Sequence, residues 1–428
     1  MAIVEKNVRK KIGKVILLAL ALMAGAGSAV AGQPPVKIGI LTARENPGEG
    51  TERGAALAAQ MAIDDLGGTV LNRPVRLIVG DHKDRPSVGA IMARRWLKQS
   101  DVDVILDIQN AGVAKAVRPV VSELGGLLIL SGVGFYGPRD CQENILSWTY
   151  DLPAMSRFGL AALRDEGFDQ TYMLNLEMWH GSGLPFREIV DSIGFGQFQE
   201  FSRPLPPPTG RAIRIAAGAA PLIAPDEPLA VNRDALVVLG ANPFALKAVA
   251  PHLSASLKGR PLSDLYCQAC ASMLDNPAVS SLAETIYFVL PYDLDSKPYR
   301  ALAERFIALG DGAAPSMAQV GIYTATRAYL ESVATLGKTR PAAAIAAHLR
   351  SVRLHDDIFG NSAITPAGVR RGTYYLYAYD SASGTRTKLA QKDMTGEAGT
   401  EPCDHPSLLP GAPPRLPPFR PLGFPPPP

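Results

Sequence analysis

A regular alternation of apolar runs and helical patterns, which begins at Val36, is the feature that most restricts how this chain can fold. Val36–Leu41 is a short apolar run, and Ala55, Ala59 and Ala62 then recur at helical spacing. The unit repeats, with predicted strands at 75–79, at 104–106 together with Ile108, and at 127–130, and predicted helices at 88–96 and 114–124. Apolar strands without strict alternation, separated by helices, predict a parallel sheet covered on both faces.

The alternation restarts after Tyr150, and 428 residues are enough for two cores. We therefore predict an α/β chain with two lobes and parallel-rich sheets. The elements predicted for the rest of the chain are helices near 154–163, 243–253, 299–308 and 317–336 and strands near 172–176, 235–239, 265, 285–290 and 374–379. Residues 204–230 are Pro- and Ala-rich, which predicts a loop with a helix around 213–217.

The first 31 residues have the three parts of a secretory signal peptide. A cationic start precedes an apolar stretch from Val15 to about Ala26, and Ala29–Ala31 offers small residues for cleavage. The apolar stretch is short for a membrane anchor, since a bilayer core is roughly 30 Å thick. We predict cleavage, a mature chain that begins near Gly32, and a periplasmic location.

Charge argues against a nucleic-acid partner. The whole chain carries a net charge of +3, but five of its 43 basic residues and one of its 40 acidic residues lie within 1–31. The remainder has 38 basic and 39 acidic residues and no basic run, so its sequence offers no electrostatic case for DNA or RNA.

Several segments of the chain are similar in order and spacing to leucine-type (branched-chain amino acid) periplasmic solute-binding proteins of ABC importers. The matching segments are Val36–Leu41, 54–58, 71–83, 88–96, 108–114, 130–134, 148–151, 319–323 and 359–361. The resemblance implies the type I periplasmic binding protein fold, in which two Rossmann-like lobes are joined by three crossovers and a small solute is held between them. It implies a monomeric receptor, not an enzyme, whose partners are a membrane permease and an ATPase.

The predicted division of the chain follows from this fold. We expect the signal peptide at 1–31, the first lobe at 32–150 plus 286–340, and the second lobe at 151–285 plus 341–396. Residues 397–428 are too proline-rich to pack, which predicts a disordered tail.

The resemblance also implies which residues touch the solute, in loops at the carboxyl ends of strands. The predicted ligand-binding residues are Asn110, Ala111, Ser131, Gly132, Val133, Phe135, Tyr150, Trp179 and Asn242. Phe135 stands where the family usually has Thr or Ser, and Cys267–Ser272 has no acid where the family commonly has one to meet an ammonium group. These departures predict a solute that is amino-acid-like or less polar.

Two further motifs have competing interpretations. Gly132–Gly137 spells G-x-G-x-x-G after a predicted strand, but Pro138 onward does not open a helix, so we expect a cleft loop and no dinucleotide cofactor. Cys267 and Cys270 form either a local disulfide or pairs with Cys141 and Cys403.

The histidines have no metal-ligand spacing, and the sequence shows no catalytic residues. His355–Asp357 is interpreted as a solvated turn, and His180 is the one histidine that could touch the solute. The functional alternative is a periplasmic sensor or accessory protein with the same fold and no transport role.

Overall fold

We describe the protein from a computed structural model. The residues that it describes are 33–46, 50–132, 142–168, 170–177, 197–204, 235–240, 246, 250–251, 253–255, 257 and 259–396. The predicted signal peptide, the tail and residues 205–234 lie outside them.

The first lobe is built on a six-stranded sheet in the order β4-β5-β1-β6-β7-β8. Its strands are β1 Val36–Thr42, β4 Thr69–Val70, β5 Arg73–Asp81, β6 Val104–Asp107, β7 Leu128–Leu130 and β8 Ile145–Ser147, and a small hairpin pairs β2 Glu45–Asn46 with β3 Gly50–Thr51. Neighbouring strands from β5 to β8 pair in parallel, whereas the short β4 is antiparallel to β5. The central strands of this sheet are buried almost throughout, as the apolar runs predict.

Helices cover both faces of this sheet. They are α1 Glu52–Asp65, α2 Pro86–Gln99, α3 Ala111–Glu123, α6 Lys297–Leu309, α7 Met317–Leu336 and α8 Ala342–Ser351, the last three arriving late in the sequence. Ser316 and Gln319 form a capping box that starts α7, and Gly337 ends it with φ +66°. α7 packs along α1 and against β6, so it belongs to the first lobe.

The second lobe is built on a seven-stranded sheet in the order β10-β9-β11-β12-β13-β17-β18. Its elements are β9 Gln170–Glu177, β10 Gln197–Pro204, β11 Leu236–Gly240, β12 Leu262–Tyr266, β13 Ala283–Leu290, β17 Thr373–Asp380 and β18 Arg386–Asp393, with helices α4 Leu152–Asp165 and α5 Pro277–Ser280 and a 3₁₀ helix at Gln268–Ser272. The strands from β10 to β13 are parallel, whereas β17 and β18 are antiparallel additions.

The chain passes between the sheets three times within the described residues. The first passage joins β8 to α4, the second joins β13 to α6, and the third runs through a three-stranded sheet of β14 Leu354–Asp356, β15 Gly360–Ile364 and β16 Arg370–Arg371 into β17. The predicted α/β architecture with two lobes is therefore confirmed.

The structure differs from the sequence prediction in several places. The predicted lobe boundary at residue 286 falls inside β13, because strand pairing carries this whole segment on the second sheet. The predicted turn at His355–Asp357 is partly strand, since β14 includes His355 and Asp356 and pairs with β15. The predicted loop starts at Pro204, which is the last residue of strand β10. The sequence analysis did not predict this strand.

None of the helices described combines the length and the apolar character needed to cross a membrane. In the same residues, no group of three or more His, Cys, Asp or Glu side chains is arranged to hold a metal ion.

Candidate functional site

The first sheet has a topological switch point between β1 and β6. Apart from the antiparallel β4, its strands follow the order second-first-third-fourth-fifth, so the chain leaves β1 toward β5 and later returns to build outward from β6 on the other side. Ligands in open α/β sheets lie outside the carboxyl ends of the strands at such a point. The residues that end the two strands are Thr42 and Asp107.

Asp107 is fully buried at this position. Burial raises the pKa of its carboxyl from 3.8 to about 7, and the nearby Thr42 hydroxyl opposes that shift only in part. Neither carboxylate oxygen has a partner with hydrogen-bond geometry. A buried carboxyl without partners costs free energy, so its presence here needs an explanation beyond packing.

The backbone around Asp107 is also unusual. Asp107 has φ +82° and the next residue, Ile108, has φ +61°, a left-handed conformation that non-glycine residues rarely adopt. Two such residues in succession store conformational strain, which clusters at functional sites. The prediction that Ile108 continues the strand is wrong, because this turn ends β6 at Asp107.

Gly132 brings the loop after β7 directly against Asp107. A Cβ at Gly132 would overlap Oδ1 of Asp107 and would lie 2.6 Å from Cγ of Gln109. Only glycine allows this approach, since any side chain would push the two loops apart. The structure therefore brings together the loops after β6 and β7, both of which the sequence analysis assigned to the solute.

The predicted residues Asn110 and Ala111 start α3 in the first of these loops. Asn110 caps the helix, with its Oδ1 accepting a hydrogen bond from the Val113 amide at 3.0 Å, and its side chain also bonds the Asp84 carboxyl. Ala111 is the first helical residue, so the free amides of the helix start lie at this edge of the sheet.

Ser131 and Tyr150 are both buried. The Ser131 hydroxyl has no hydrogen-bond partner, and the same is true of both amide atoms of Gln109 and of the Thr149 hydroxyl. Thr149 and Ser131 both contact α7 at Gly321, where a Cβ would lie 3.2 Å from Cβ of Ser131.

Four other predicted residues, Val133, Phe135, Trp179 and Asn242, lie outside the described residues, as does His180. Their contribution to the site therefore stays a prediction. Asp107 was absent from the predicted set. The signal that could have found it is a lone acid between apolar residues at a strand end predicted to lie at the switch point.

His82 follows β5 at the same edge of the sheet. Burial lowers the pKa of its imidazole to about 4, against a weaker opposing effect of Asp81. Its Nδ1 accepts a hydrogen bond from the Asp84 amide at 3.1 Å, which leaves the proton of the neutral ring on Nε2. Near pH 7 His82 is therefore a neutral donor, and its buried Nε2 has no partner.

A cavity of about 740 Å³ opens between the two lobes. The first lobe contributes α1, α6 and the start of α7, and the second contributes β13, the end of the 3₁₀ helix and the residues that follow it. The lining side chains that determine its chemistry are aromatic or cationic: Phe288, Tyr292, Tyr299, Phe306, Arg53 and Arg386. A largely apolar wall with a few charged groups is typical of sites for small organic molecules.

The second-lobe wall of the cavity is held in place by two features. Cys267 and Cys270 form a disulfide at the start of the 3₁₀ helix, which is the local one of the two pairings left open by the sequence. Gln268 lies between them, donates to the Val289 carbonyl and accepts a hydrogen bond from the Val289 amide at 3.2 Å. This segment is therefore fixed to β13, and it presents Ala271 and Ser272 to the cavity.

Side-chain contacts join the three crossovers. Arg371 in the third passage donates to Asp151 in the first at 2.6 Å, and both side chains are buried. Tyr292 in the second passage packs edge-on against Phe359 in the third, with ring centroids 5.8 Å apart. These contacts lie at the passages between the two sheets.

Comparison with known proteins agrees with this geometry. Residues 35–183 match the family model described as periplasmic binding protein. The chain has the type I periplasmic binding protein fold. The resemblance to leucine-type receptors is thus confirmed by the family model and the fold, while no curated protein sequence matches the chain.

Three solved structures illustrate the similarity. A branched-chain amino acid ABC transporter periplasmic ligand-binding protein from Burkholderia xenovorans LB400 is 19% identical, covers 86% of this chain and 97% of its own, and has a TM-score of 0.68. A solute-binding protein from R. palustris in complex with benzoate is 16% identical, with 85% and 99% covered and a TM-score of 0.64.

The third is the branched-chain amino acid transporter substrate-binding protein LivJ from Streptococcus pneumoniae, in complex with isoleucine. It is 12% identical, covers 84% of this chain and 99% of its own, and has a TM-score of 0.63. At these identities the likeness shows the fold and leaves the solute open.

Proposed function

We propose that this protein is the periplasmic solute receptor of an ABC importer and binds a small organic molecule between its lobes. The observation that carries the proposal is the cavity of about 740 Å³ with walls from both lobes. Its size lies within the roughly 300–1,000 Å³ range of small-molecule sites. The similar proteins with isoleucine and benzoate make amino acids and aromatic acids the first solute classes to test.

The mechanism is hinge closure around the solute. The solute binds mainly to one lobe, the other lobe moves over it, and the permease recognises the closed form. Closure needs bending at the crossovers, and the buried Arg371–Asp151 pair keeps the first and third passages together while the lobes move. The matched family and the similar structures are binding proteins, and we assign this chain the same non-catalytic role.

A thermal-shift screen of the mature protein tests the proposal. The protein from residue 32 onward is melted with amino acids, amides and aromatic acids, since a solute that binds only the folded state raises the melting temperature. Intact mass of periplasmic material checks the expected start near Gly32. A screen without any hit would contradict the receptor function.

A steric variant tests whether the cavity is the site. Ser272 lines the cavity and is partly buried, so Ser272→Phe should fill part of the space and remove most of the shift caused by a hit. Ser281→Phe is the matched control, because Ser281 is exposed on the second lobe just after α5 and does not line the cavity. If both variants bind as well as wild type, the solute binds elsewhere.

A further inference from the structure

We propose that Asp107 anchors the polar end of the solute by accepting a hydrogen bond from an N–H or O–H group, either an ammonium or a hydroxyl. The inference rests on the receptor function proposed above and adds to it the chemistry that the solute must present. The protein would therefore prefer solutes with such a donor over otherwise identical solutes without it.

The position of Asp107 is the first support. It ends β6 beside the last residues of β1, at the switch point where the fold places ligands. Its carboxyl touches Gly132, the residue that starts the predicted solute loop after β7. Neither Asp107 nor Gly132 lines the cavity, so the anchored end of the solute would extend from the cavity toward the switch point.

The other end of the same strand supplies a comparison within the protein. Asp103 immediately precedes β6 and is also buried. Its Oδ2 accepts a hydrogen bond from the Lys37 amide at 2.9 Å, and its Oδ1 lies 3.4 Å from Nε of Arg340. Within the described residues, the fold thus provides a backbone donor and a cation for the buried carboxylate at the amino end of β6, and only the Thr42 hydroxyl near the one at the carboxyl end.

Among the residues that the structure describes, no charged group neutralises Asp107. Those that face it are the Thr42 hydroxyl from β1, Gly132 from the loop after β7, and Gln109 from its own loop, none of which titrates. Both Gln109 amide atoms and the Ser131 hydroxyl are themselves buried without partners. A polar group of a solute placed here would satisfy several of these atoms at once, which is what a specific polar subsite requires.

The chemistry of the anchor follows from the carboxylate. An ionised carboxylate only accepts hydrogen bonds, so its partner must carry a donor, and a charge-assisted bond at a buried site is strong. An ammonium group and a hydroxyl both meet this requirement. Binding of either should be coupled to the loss of the Asp107 proton and should strengthen as the pH rises.

Matched pairs of probes test the proposal by calorimetry. L-isoleucine is compared with 3-methylpentanoate, which lacks its ammonium group, and 4-hydroxybenzoate is compared with benzoate, which lacks its hydroxyl. Wild type, Asp107→Asn and the control Asp103→Asn are titrated at pH 5.5 and pH 8.0.

We expect one donor-bearing probe to bind wild type and the control about tenfold more tightly at pH 8.0 than at pH 5.5, as a carboxyl that ionises in this range predicts. Asp107→Asn should weaken that probe about tenfold at pH 8.0 and remove the pH dependence, while the mate without the donor binds poorly throughout. The pair that responds distinguishes an ammonium from a hydroxyl.

Equal affinity for both members of a pair, or unchanged binding by Asp107→Asn, would overturn the inference and leave the receptor function standing. Failure of all four probes would also contradict it, and the broader thermal-shift screen would then decide the receptor function separately. The pH dependence of wild type keeps the test decisive even if the variant folds poorly.

Discussion

Asp107→Asn should stabilise the empty protein at high pH. Burial raises the pKa of the Asp107 carboxyl from 3.8 to about 7, so between these values the folded state holds a proton that the unfolded state has released. Stability attributable to this group is complete below the unfolded pKa and is lost as the pH rises through the folded one. About three pKa units correspond to about 4 kcal/mol.

The free energy of unfolding of Asp107→Asn relative to wild type should therefore increase by about 4 kcal/mol between pH 4 and pH 8, because Asn has no proton to lose. Urea unfolding followed by circular dichroism across this pH range measures the difference. Asp103→Asn keeps Asp107 and should retain the wild-type pH dependence. Parallel stability curves for Asp107→Asn and wild type would refute the assignment of an uncompensated buried carboxyl.

Three further changes have defined outcomes. Gly132→Ala should destabilise the protein by about 1–3 kcal/mol, because its Cβ would overlap Asp107 and Gln109, whereas Gly396→Ala, with no atom within 4 Å, should be neutral in the same urea titration. Arg371→Met removes the buried cation that pairs with Asp151 and should cost about 3–5 kcal/mol in urea unfolding, whereas Arg94→Met breaks an exposed pair with Glu123 and should have no measurable effect. Thr324→Val removes the acceptor of the Trp148 Nε1 hydrogen bond at 2.9 Å and should cost about 1–3 kcal/mol, checked by thermal melting followed through tryptophan fluorescence.

The first lobe could be predicted well because its local patterns agree with its packing. The apolar run at Val36–Leu41 differs from β1 by a single residue, and the helical spacing near Ala55–Leu66 falls on α1. A strand buried on both faces has a continuous apolar run, and a helix buried on one face has apolar residues at helical spacing, so both are visible in the sequence.

Short elements, and elements that form only by pairing with another strand, have no such apolar pattern in the sequence. β8 has three residues, Ile145–Ser147, and is a strand only because it pairs with β7. β18 (Arg386–Asp393) is an edge strand with mostly exposed side chains, so its polar sequence shows no apolar alternation. Both depend on tertiary pairing that a local pattern does not contain.

In the candidate site, too, the residues in predicted loops were found and the residue that depends on tertiary contacts was missed. The resemblance to leucine-type receptors assigned Asn110, Ala111, Ser131 and Gly132 to the solute, and the structure places them in the loops after β6 and β7, where Gly132 approaches Asp107 and Gln109. Asp107 was missed because Ile105–Ile108 reads as one apolar strand with a single acid in it. Its burial without partners depends on the close approach of Gly132, which follows a different strand and is invisible in local sequence.

Two buried aspartates lie at the ends of β6, and they differ in whether the fold accounts for their burial. Asp103 has a backbone donor and a nearby cation, so its carboxylate is accounted for by the fold. Asp107 has a strained backbone and no hydrogen-bond partner, and the protein would be more stable without its charge. A residue that lowers stability at the switch point persists when a bound state restores the missing interaction. The stability lost in the empty protein and the solute preference proposed for Asp107 are therefore two consequences of one unpaired carboxylate.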